Sequence, residues 1–567
     1  MAKSFQIKEY PFNHKLENLL LDHEDFFLRR PIIYLLKNNE SKEVYVGETT
    51  DMVTRFRNHL KSEKGKSFTS VSLILSEFFN KSATLDIESN LIRYLAADKS
   101  FKLQNGNLGI RDHQFYQQKE IYQKQFQRIW AELMEKGMVK YTLAQIDNLD
   151  LFKYSPYKSL SNDQIIGLKT ILWCLLDEKA KLSLIHGAAG TGKSIIAIFL
   201  FKLLKTDLKD FNYLAFDESD EELFELVKKV KEKYCELEMA LVIPILSFRK
   251  TISKVFKDIE GLSSSMVISP SQIGKRKYDL LIIDEGHRLK RRKNLGIYYK
   301  VFDSFNDDLG LDRDTGTELN WAELRSDKTL IFYDRFQSLK PSDVAANDFL
   351  ELEKKDTTRS EELRSQFRVR GGISYMDFIH EIFSDHTSLE PKFFKNKRYE
   401  FLLFDNLEDM HKRIKNKEGR VGLSRMMAGY AWEWKSRDKK SISDISIGGF
   451  ELKWNSRIKW INSPNAINEV GHIETVQGHD LNYAGIIIGP ELDYDFITGS
   501  FVVYRDRYLD MNGKNSIKDI GILKEYIFNI YRTMLFRSIF GTYVYVCNDN
   551  LRKYLRQYIP TRYALDF

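Results

Sequence analysis

The chain is 567 residues long and carries 87 Lys and Arg against 80 Asp and Glu, a formal net charge of +7. That balance implies no chain-wide polybasic binding mode, and 43% hydrophobic with 29% charged residues excludes a wholly disordered chain. Three widely separated cysteines (Cys174, Cys235, Cys547) exclude a disulfide scaffold. The longest clean apolar run, IIAIFLF at 195–201, is far too short to cross a bilayer. MAKSFQIKEYPFNHK lacks the apolar core of a signal peptide, so the expectation is a cytoplasmic protein without a membrane partner.

At roughly 150 residues per domain, this length allows about four domains. Residues 1–27 read as an N-terminal extension and 28–113 as a first compact block. Within the block, RRPIIYLL and KEVYVGE read as two short strands separated by the polar KNNESK. A helix is expected over 51–60, with further helices near 68–80 and 85–97. Residues 114–158 read as a helical linker, helix-forming from 114 to the glycine at 137. Beyond it, β-rich runs alternate with amphipathic helices: LSLIH, YLAF, ALVIPI, DLLIID and TLIFYD, then YEFLLF, IKWI, YAGIIIG and YVYV. The expected fold class is α/β, a small α+β domain followed by two parallel-sheet lobes at 159–350 and 351–567. The charge-rich segment 288–327 reads as an insertion in the first lobe.

LSLIHGAAGTGKS carries the strongest chemical signal. Gly187, Gly190 and Gly192 let the backbone around Ala188, Ala189 and Thr191 curl so that its N–H groups face phosphate oxygens. Lys193 adds a charge at the β- and γ-phosphates, and Ser194 offers a hydroxyl to Mg²⁺. A strand-like run precedes the loop and SIIAIFLFKLL opens a helix, whose N-terminus favours anions. YDLLIIDEGHR then supplies Asp284 at a strand exit to hold the metal and Glu285 as base for the attacking water.

In the first block, Tyr34 and Tyr45 lie on adjacent strands and Gly47 ends the second. Arg55 and His59 are i and i+4, on one helix face, and Met52, Phe56 and Leu60 share the docking face beside it. Glu88 falls in line with Leu85, Ile92 and Leu95, where a carboxylate is costly unless a cation meets it. Two phenols, an arginine, a histidine and a carboxylate can together cleave a phosphodiester. A tyrosinate or water attacks, arginine stabilises the phosphorane, and a cation on Glu88 acts as Lewis acid.

With IIY at 32–34 and YVG at 45–47, this constellation resembles the GIY-YIG nuclease domain. The resemblance implies catalytic roles for Tyr34, Tyr45, Arg55, His59 and a metal-binding Glu88, and a closing asparagine at Asn105 or Asn107, with Asn107 preferred. Ile32 stands where the family has its first glycine, and Val46 replaces the central isoleucine. The later blocks resemble, in order, the superfamily 1 helicase ATPases with two RecA-like lobes. SLSNDQ resembles the adenine-reading motif, with Gln164 on the base, and LSFRKT supplies Ser247, Arg249 and Thr251 to nucleic-acid phosphates. TLIFYDRFQSL resembles motif III through Asp334 and Gln337, and LRSQFR and IYRTMLFRS supply Arg368 and Arg537 to the γ-phosphate. HIETVQGHD resembles motif V, with Thr475, Gln477, Gly478 and Asp480. Phrases such as MAGYAWEW and VGHIETVQGHDLNYAGIIIGPEL resemble the bacterial Schlafen-type, P-loop helicase-like branch. Phe536 and Ser538, where Thr and Gly are usual, leave the surroundings of Arg537 open.

The combined resemblance implies an ATP-dependent translocase or helicase joined to a Mg²⁺-dependent endonuclease, with Mn²⁺ as a second candidate cation. Its track would be nucleic acid, DNA before RNA. Its context would be genome surveillance or anti-phage defence, with a homo-oligomer or a defence-system partner. An ATP-gated switch that controls nuclease access without unwinding is the other reading. Lys290–Lys293 is a candidate phosphate-contacting run balanced against a solvated loop, and Trp432 and Trp434 read as packing before base stacking.

Overall fold

Three principal sheets organise the computed structural model. It describes residues 5–16, 30–62, 65–105, 116–154, 160–206, 221–234, 237–259, 261–334, 337–363, 369–385, 387, 389–437, 439, 441–454, 460–463 and 465–561. The chain forms two compact units, Met1–Ile165 with Ile198–Lys228, and Ile166–Ala197 with Lys229–Phe567.

The first unit holds a five-stranded sheet in the order Gln6–Pro11, Ser70–Leu75, Ile32–Asn38, Glu43–Thr49, Lys102–Leu103, antiparallel except for the last pair. Two expectations are corrected here. The stretch near 68–80 is strand Ser70–Leu75 rather than helix, because strands on both sides, Gln6–Pro11 and Ile32–Asn38, pair with it. Val71, Leu73 and Leu75 enter the cluster around Tyr34 and Phe56, while Ser76 on the other face accepts from Gln125 Nε2 at 2.9 Å. Part of the supposed extension is also sheet, since Gln6–Pro11 pairs antiparallel with that strand and satisfies its outer backbone groups. Helix Met52–Lys61 is capped by Asp51, which accepts from Thr54 N, and buries Met52 and Phe56. Helix Lys81–Asp98 is capped by Asn80.

The linker is bound tightly to that last helix. In helix Gln123–Glu135 the buried residues Phe126, Ile129, Trp130 and Leu133 recur at helical spacing. Buried Asp98 accepts from Lys140 N and Tyr141 N, both at 2.9 Å, and Tyr94 donates to Asp147 at 2.7 Å.

In the second unit, a six-stranded parallel sheet runs in the order Thr358–Leu363, Leu182–Gly187, Ser326–Tyr333, Tyr278–Ile283, Met239–Val242, Val267–Ile268. The first lobe therefore passes the expected boundary at 350, because Thr358–Leu363 pairs with the strand that leads into the glycine loop. The segment 288–327 sits between two of these strands. It packs inward through Phe302 and Trp321, whose Nε1 donates to Asn306 Oδ1 at 2.7 Å. A seven-stranded sheet follows, in the order Glu400–Phe404, Ser538–Val546, Leu481–Ile488, Ser424–Ala428, Glu469–Gly471, Phe450–Trp454, Ile445–Ile447, parallel but for its last pair. Leu481–Ile488 is buried at every position, as a strand covered on both faces must be. Of the expected strand IKWI only Trp460 and Ile461 are among the described residues; both lie outside any strand, and Trp460 packs under Gly471, where a Cβ would meet its ring at 2.4 Å. YLAF falls outside the described residues.

Candidate functional sites: a phenol–arginine–histidine cluster and a nucleotide loop

In the small sheet, Tyr34 pairs directly with Gly47 and Leu36 with Tyr45, which puts both phenols on one face. A Cβ at Gly47 would lie 2.3 Å from the Tyr34 ring, so only glycine admits the phenol there. From helix Met52–Lys61, Arg55 Nε donates to Tyr34 Oη at 2.9 Å and Nη2 to Tyr45 Oη at 3.2 Å. His59 Nε2 lies 2.9 Å from Tyr34 Oη. With the imidazole proton on Nδ1, Nε2 accepts the phenol proton while Arg55 donates to the same oxygen. Burial, with Arg55 beside it, pushes the His59 imidazole down to about 4, so it is neutral at pH 7. Burial, then Tyr45, drives the Tyr34 phenol well above its ordinary value despite Arg55.

Glu88 is half-buried on helix Lys81–Asp98. Burial first, then Glu48, push its carboxyl up to about 8. Sequence reasoning missed Glu48, which follows Gly47 and takes Lys81 Nζ at 2.5 Å and Thr84 Oγ1 at 3.3 Å. A second acid directly after the YVG tripeptide was the available signal. The site thus presents hard oxygen donors, Glu88 with Glu48 beside it, which suits a divalent cation. Among the described residues no three His, Cys, Asp or Glu side chains converge on one metal position, so most of the coordination would be left to water and substrate. Leu85, expected on Glu88's apolar face, is exposed, whereas Ile92 and Leu95 are buried. Asn107 lies outside the described residues. Asn105 is buried and clamps the YVG strand, accepting from Val46 N at 2.9 Å and donating to Val46 O at 2.7 Å.

In the second unit, the loop from Gly187 to Ser194 joins strand Leu182–Gly187 to helix Lys193–Lys205. Gly190 and Gly192 have φ of 84° and 86°, which only glycine adopts freely. With Ala188 and Ala189 between the glycines, Thr191 Oγ1 donates back to Ala188 O at 3.1 Å. Lys193 Nζ donates to Gly187 O at 2.5 Å and Ala188 O at 2.9 Å, so the loop's own carbonyls hold the charge that a phosphate would take. Asp284 and Glu285 are both buried at the end of strand Tyr278–Ile283. Burial and Glu285 raise Asp284. Burial opposes ionisation of Glu285, but the contact with His287, then Lys193 and Arg537, hold it low. Of the two, Glu285 is therefore the stronger acid. Asp284 and the Ser194 hydroxyl are oxygen donors of the kind a phosphate-bound divalent cation uses. Glu285 has φ +57°, an uncommon conformation for a non-glycine residue, which aims it away from the strand line.

Arg537, 1% exposed, reaches across from the second sheet and donates through Nη2 to Gln337 Oε1 at 3.1 Å, while Gln337 Nε2 donates to Asp334 Oδ2 at 2.6 Å. Ser538, beside it, is buried against Tyr399 Oη at 2.7 Å. Arg368 lies outside the described residues. Gln164, buried in the other unit, accepts from Ser161 N at 3.0 Å. The expected nucleic-acid contacts are mostly engaged by protein. Ser247 Oγ donates to Glu474 O at 3.1 Å, Arg249 Nη1 to Ile243 O at 2.7 Å, and Thr475 Oγ1 to His472 O at 2.8 Å. Thr251 is half-buried on the same helix as Arg249. Gln477 is fully buried. Gly478, at φ +87°, lets motif V close on Phe248, which a Cβ would meet at 2.5 Å. Lys340 adds a link between the lobes, to Glu474 at 2.5 Å.

The basic run spends its charge on the protein: Lys290 on Asp343 (2.6 Å), Arg291 on Pro341 O (2.8 Å) and Arg292 on Asp303 (2.7 Å). Trp432 and Trp434 pack against the second-lobe core. Among the described residues no helix is long and apolar enough to cross a membrane.

Two RecA-like lobes around a glycine loop, and in the same chain a small sheet carrying the phenol–arginine–histidine cluster, define an enzyme that fuses a helicase-type ATPase to a nuclease domain. Residues 180–548 match the Schlafen group 3 DNA/RNA helicase domain, and the chain belongs to that family. Residues 30–102 match the GIY-YIG catalytic domain. The protein YPL245W of Saccharomyces cerevisiae is 26% identical over 402 residues, covering 65% of this chain and 83% of its own. Among solved structures, an arterivirus nonstructural protein 10 helicase with DNA gives 13% identity and a TM-score of 0.27 over 68% of this chain. The chain spans 65% of that helicase's length. Pif1 helicase from Candida albicans gives 12% identity and a TM-score of 0.27, over 70% of this chain and 96% of its own.

Proposed function

We propose that the chain is an ATP-dependent nucleic-acid translocase or helicase coupled to a Mg²⁺-dependent GIY-YIG endonuclease. It would cut DNA in preference to RNA, in the cytoplasm, in genome surveillance or anti-phage defence, as a homo-oligomer or with a defence-system partner. The observation that carries the reading is the bond from Arg537 to Gln337, which brings a second-sheet arginine to the rim of the site holding Lys193 and Glu285. Three groups around a developing phosphoryl charge, drawn from two sheets, let hydrolysis open and close the cleft between them. Glu285 would take the proton of the attacking water, Lys193 and Arg537 would bear the phosphoryl charge, and Ser194 and Asp284 would hold the cation.

In the nuclease, Tyr34 is fully buried and its phenol stays protonated, which favours water over tyrosinate as nucleophile. Tyr34 would relay the water's proton to neutral His59, and Arg55 would stabilise the charged phosphorane. When bound at Glu88, a divalent cation supplies Lewis-acid stabilisation of the same charge. The test is wild type with labelled DNA and RNA, single- and double-stranded, in Mg²⁺ with and without ATP. Cleavage together with ATP-driven strand displacement supports the reading. ATP turnover without displacement favours a gated switch, and no cleavage under any condition contradicts the nuclease half.

A further inference from the structure

Lys340 stands on the first lobe, three residues past Gln337, and its ammonium reaches the second lobe. There Nζ lies 2.5 Å from Glu474 Oε1, 3.9 Å from Asp510 Oδ2 and 5.6 Å from the centre of the Tyr430 ring. Arg288, also of the first lobe, comes within 3.7 Å of the same Glu474 oxygen and is bound at 2.7 Å to Asp343. Asp343 takes Lys290 as well, at 2.6 Å. Three cations thus meet three carboxylates, and the seam offers no net charge to a polyanion. Its pairs are not alike. The Arg288 and Asp343 side chains are 7% and 0% exposed, whereas that of Glu474 is 40% exposed, so ions from solvent can reach the Lys340 pair. Asp510 Oδ2 is sealed from solvent and makes no hydrogen bond among the described residues. One ammonium therefore faces two carboxylates and satisfies only Glu474. Burial works against the Lys340 charge, yet Glu474, then Asp510, hold it above the usual lysine value.

We propose that Lys340 is a nucleic-acid phosphate contact held in reserve, with Glu474 and Asp510 standing in for phosphate while no strand is bound. The role rests on the reading that the chain binds a strand over Ser247 and Thr475. Glu474 sits between those two: its carbonyl accepts from Ser247 Oγ at 3.1 Å, and Thr475 follows it in helix Ile473–Val476. A phosphodiester arriving there meets the Glu474 carboxylate and is repelled until it takes Lys340 over. The exchange leaves the ammonium paired and turns Glu474 to the solvent it already faces, so little is lost in charge pairing. What is lost is a tie between the lobes, because a carboxylate of the second lobe gives way to a phosphate that belongs to neither. Strand binding is thereby linked to the lobe boundary at a point that touches no nucleotide.

Variants that remove charge but keep side-chain length separate this role from a simple brace. The affinity of a fluorescent single-stranded DNA is measured between about 50 and 200 mM salt. Thermal unfolding and the affinity of a fluorescent ATP analogue, both expected to hold, check the fold. Lys340→Met should weaken DNA binding about 5-fold and make the slope of log affinity against log salt shallower by about 0.7, the share of one single-strand phosphate. Glu474→Gln should instead tighten binding about 5-fold, and Asp510→Asn, at its longer distance, about 2-fold. Most of the Glu474→Gln gain should vanish when Lys340→Met is added, because no ammonium is left to release. A Glu474→Gln variant that binds no tighter, Lys340→Met with the wild-type affinity and salt slope, or a Glu474→Gln gain undiminished without Lys340 would each overturn the assignment. Should Lys340→Met fail to fold, Glu474→Gln and Asp510→Asn decide by themselves. Wild type that binds no single strand would overturn the nucleic-acid reading and this role with it; wild type that binds, with the variants unmoved, overturns this role alone.

Discussion

Tyr34 and His59, 25 residues apart, meet across one hairpin and the helix that follows it. Gln337 and Arg537 meet across 200 residues and two different sheets. The nuclease cluster is complete once its small sheet has folded, because Arg55 and His59 leave one helix face and both aim at the phenol opposite Gly47. The motor cluster exists only while its two lobes touch, through Arg537, Gln477 and the Lys340–Glu474 pair. Local assembly gives a site with little to switch; assembly across a lobe boundary gives one that opens when the boundary moves. On the proposed function, control of cutting would then fall to the motor and to what it does with a bound strand.

The strongest way to break that contrast is Lys193→Ala. It should lower ATP turnover by about 10²–10³-fold or more while leaving ATP-independent cleavage of a short single strand near wild type. Loss of both activities in a folded variant would show that the nuclease site is not self-contained. A second test sharpens the electrostatics. Glu88, raised to about 8 by burial and Glu48, is mostly protonated at pH 6–7, and a cation needs the carboxylate. The Mg²⁺ concentration for half-maximal cleavage should therefore fall about tenfold per pH unit between 6 and 8, then level off. A flat response would remove Glu88 from the cation site. The smallest effect is expected from Gly47→Ala, where the added methyl meets the Tyr34 ring. It should cost about 1–3 kcal/mol of stability and slow cleavage without touching ATP turnover, read by thermal unfolding beside both assays.

How much the sequence disclosed follows the same division. The glycine loop, the strand ending in Asp284 and Glu285, and the two phenol strands were legible because each is a contiguous pattern with its own periodicity. Ser70–Leu75 was misread because six residues of Ser, Val, Leu and Ile fit helix and strand alike until a neighbour claims one face. Glu48 and Lys340 escaped because their meaning lies in partners distant along the chain: Lys81 and Glu88 for one, Glu474 and Asp510 for the other. The basic run after Glu285 stood balanced between phosphate contact and a solvated loop, and only the fold brings Asp343 to Lys290 and Asp303 to Arg292.

The central claim is that one chain carries two separable chemistries. Glu88→Gln tests it most directly, with ATP hydrolysis and cleavage of labelled DNA followed in the same Mg²⁺ reaction. ATP turnover should stay at the wild-type rate while cleavage falls by about 10³-fold or more. Cleavage at the wild-type rate, or loss of ATP turnover together with cleavage, would mean that the two chemistries are not separate.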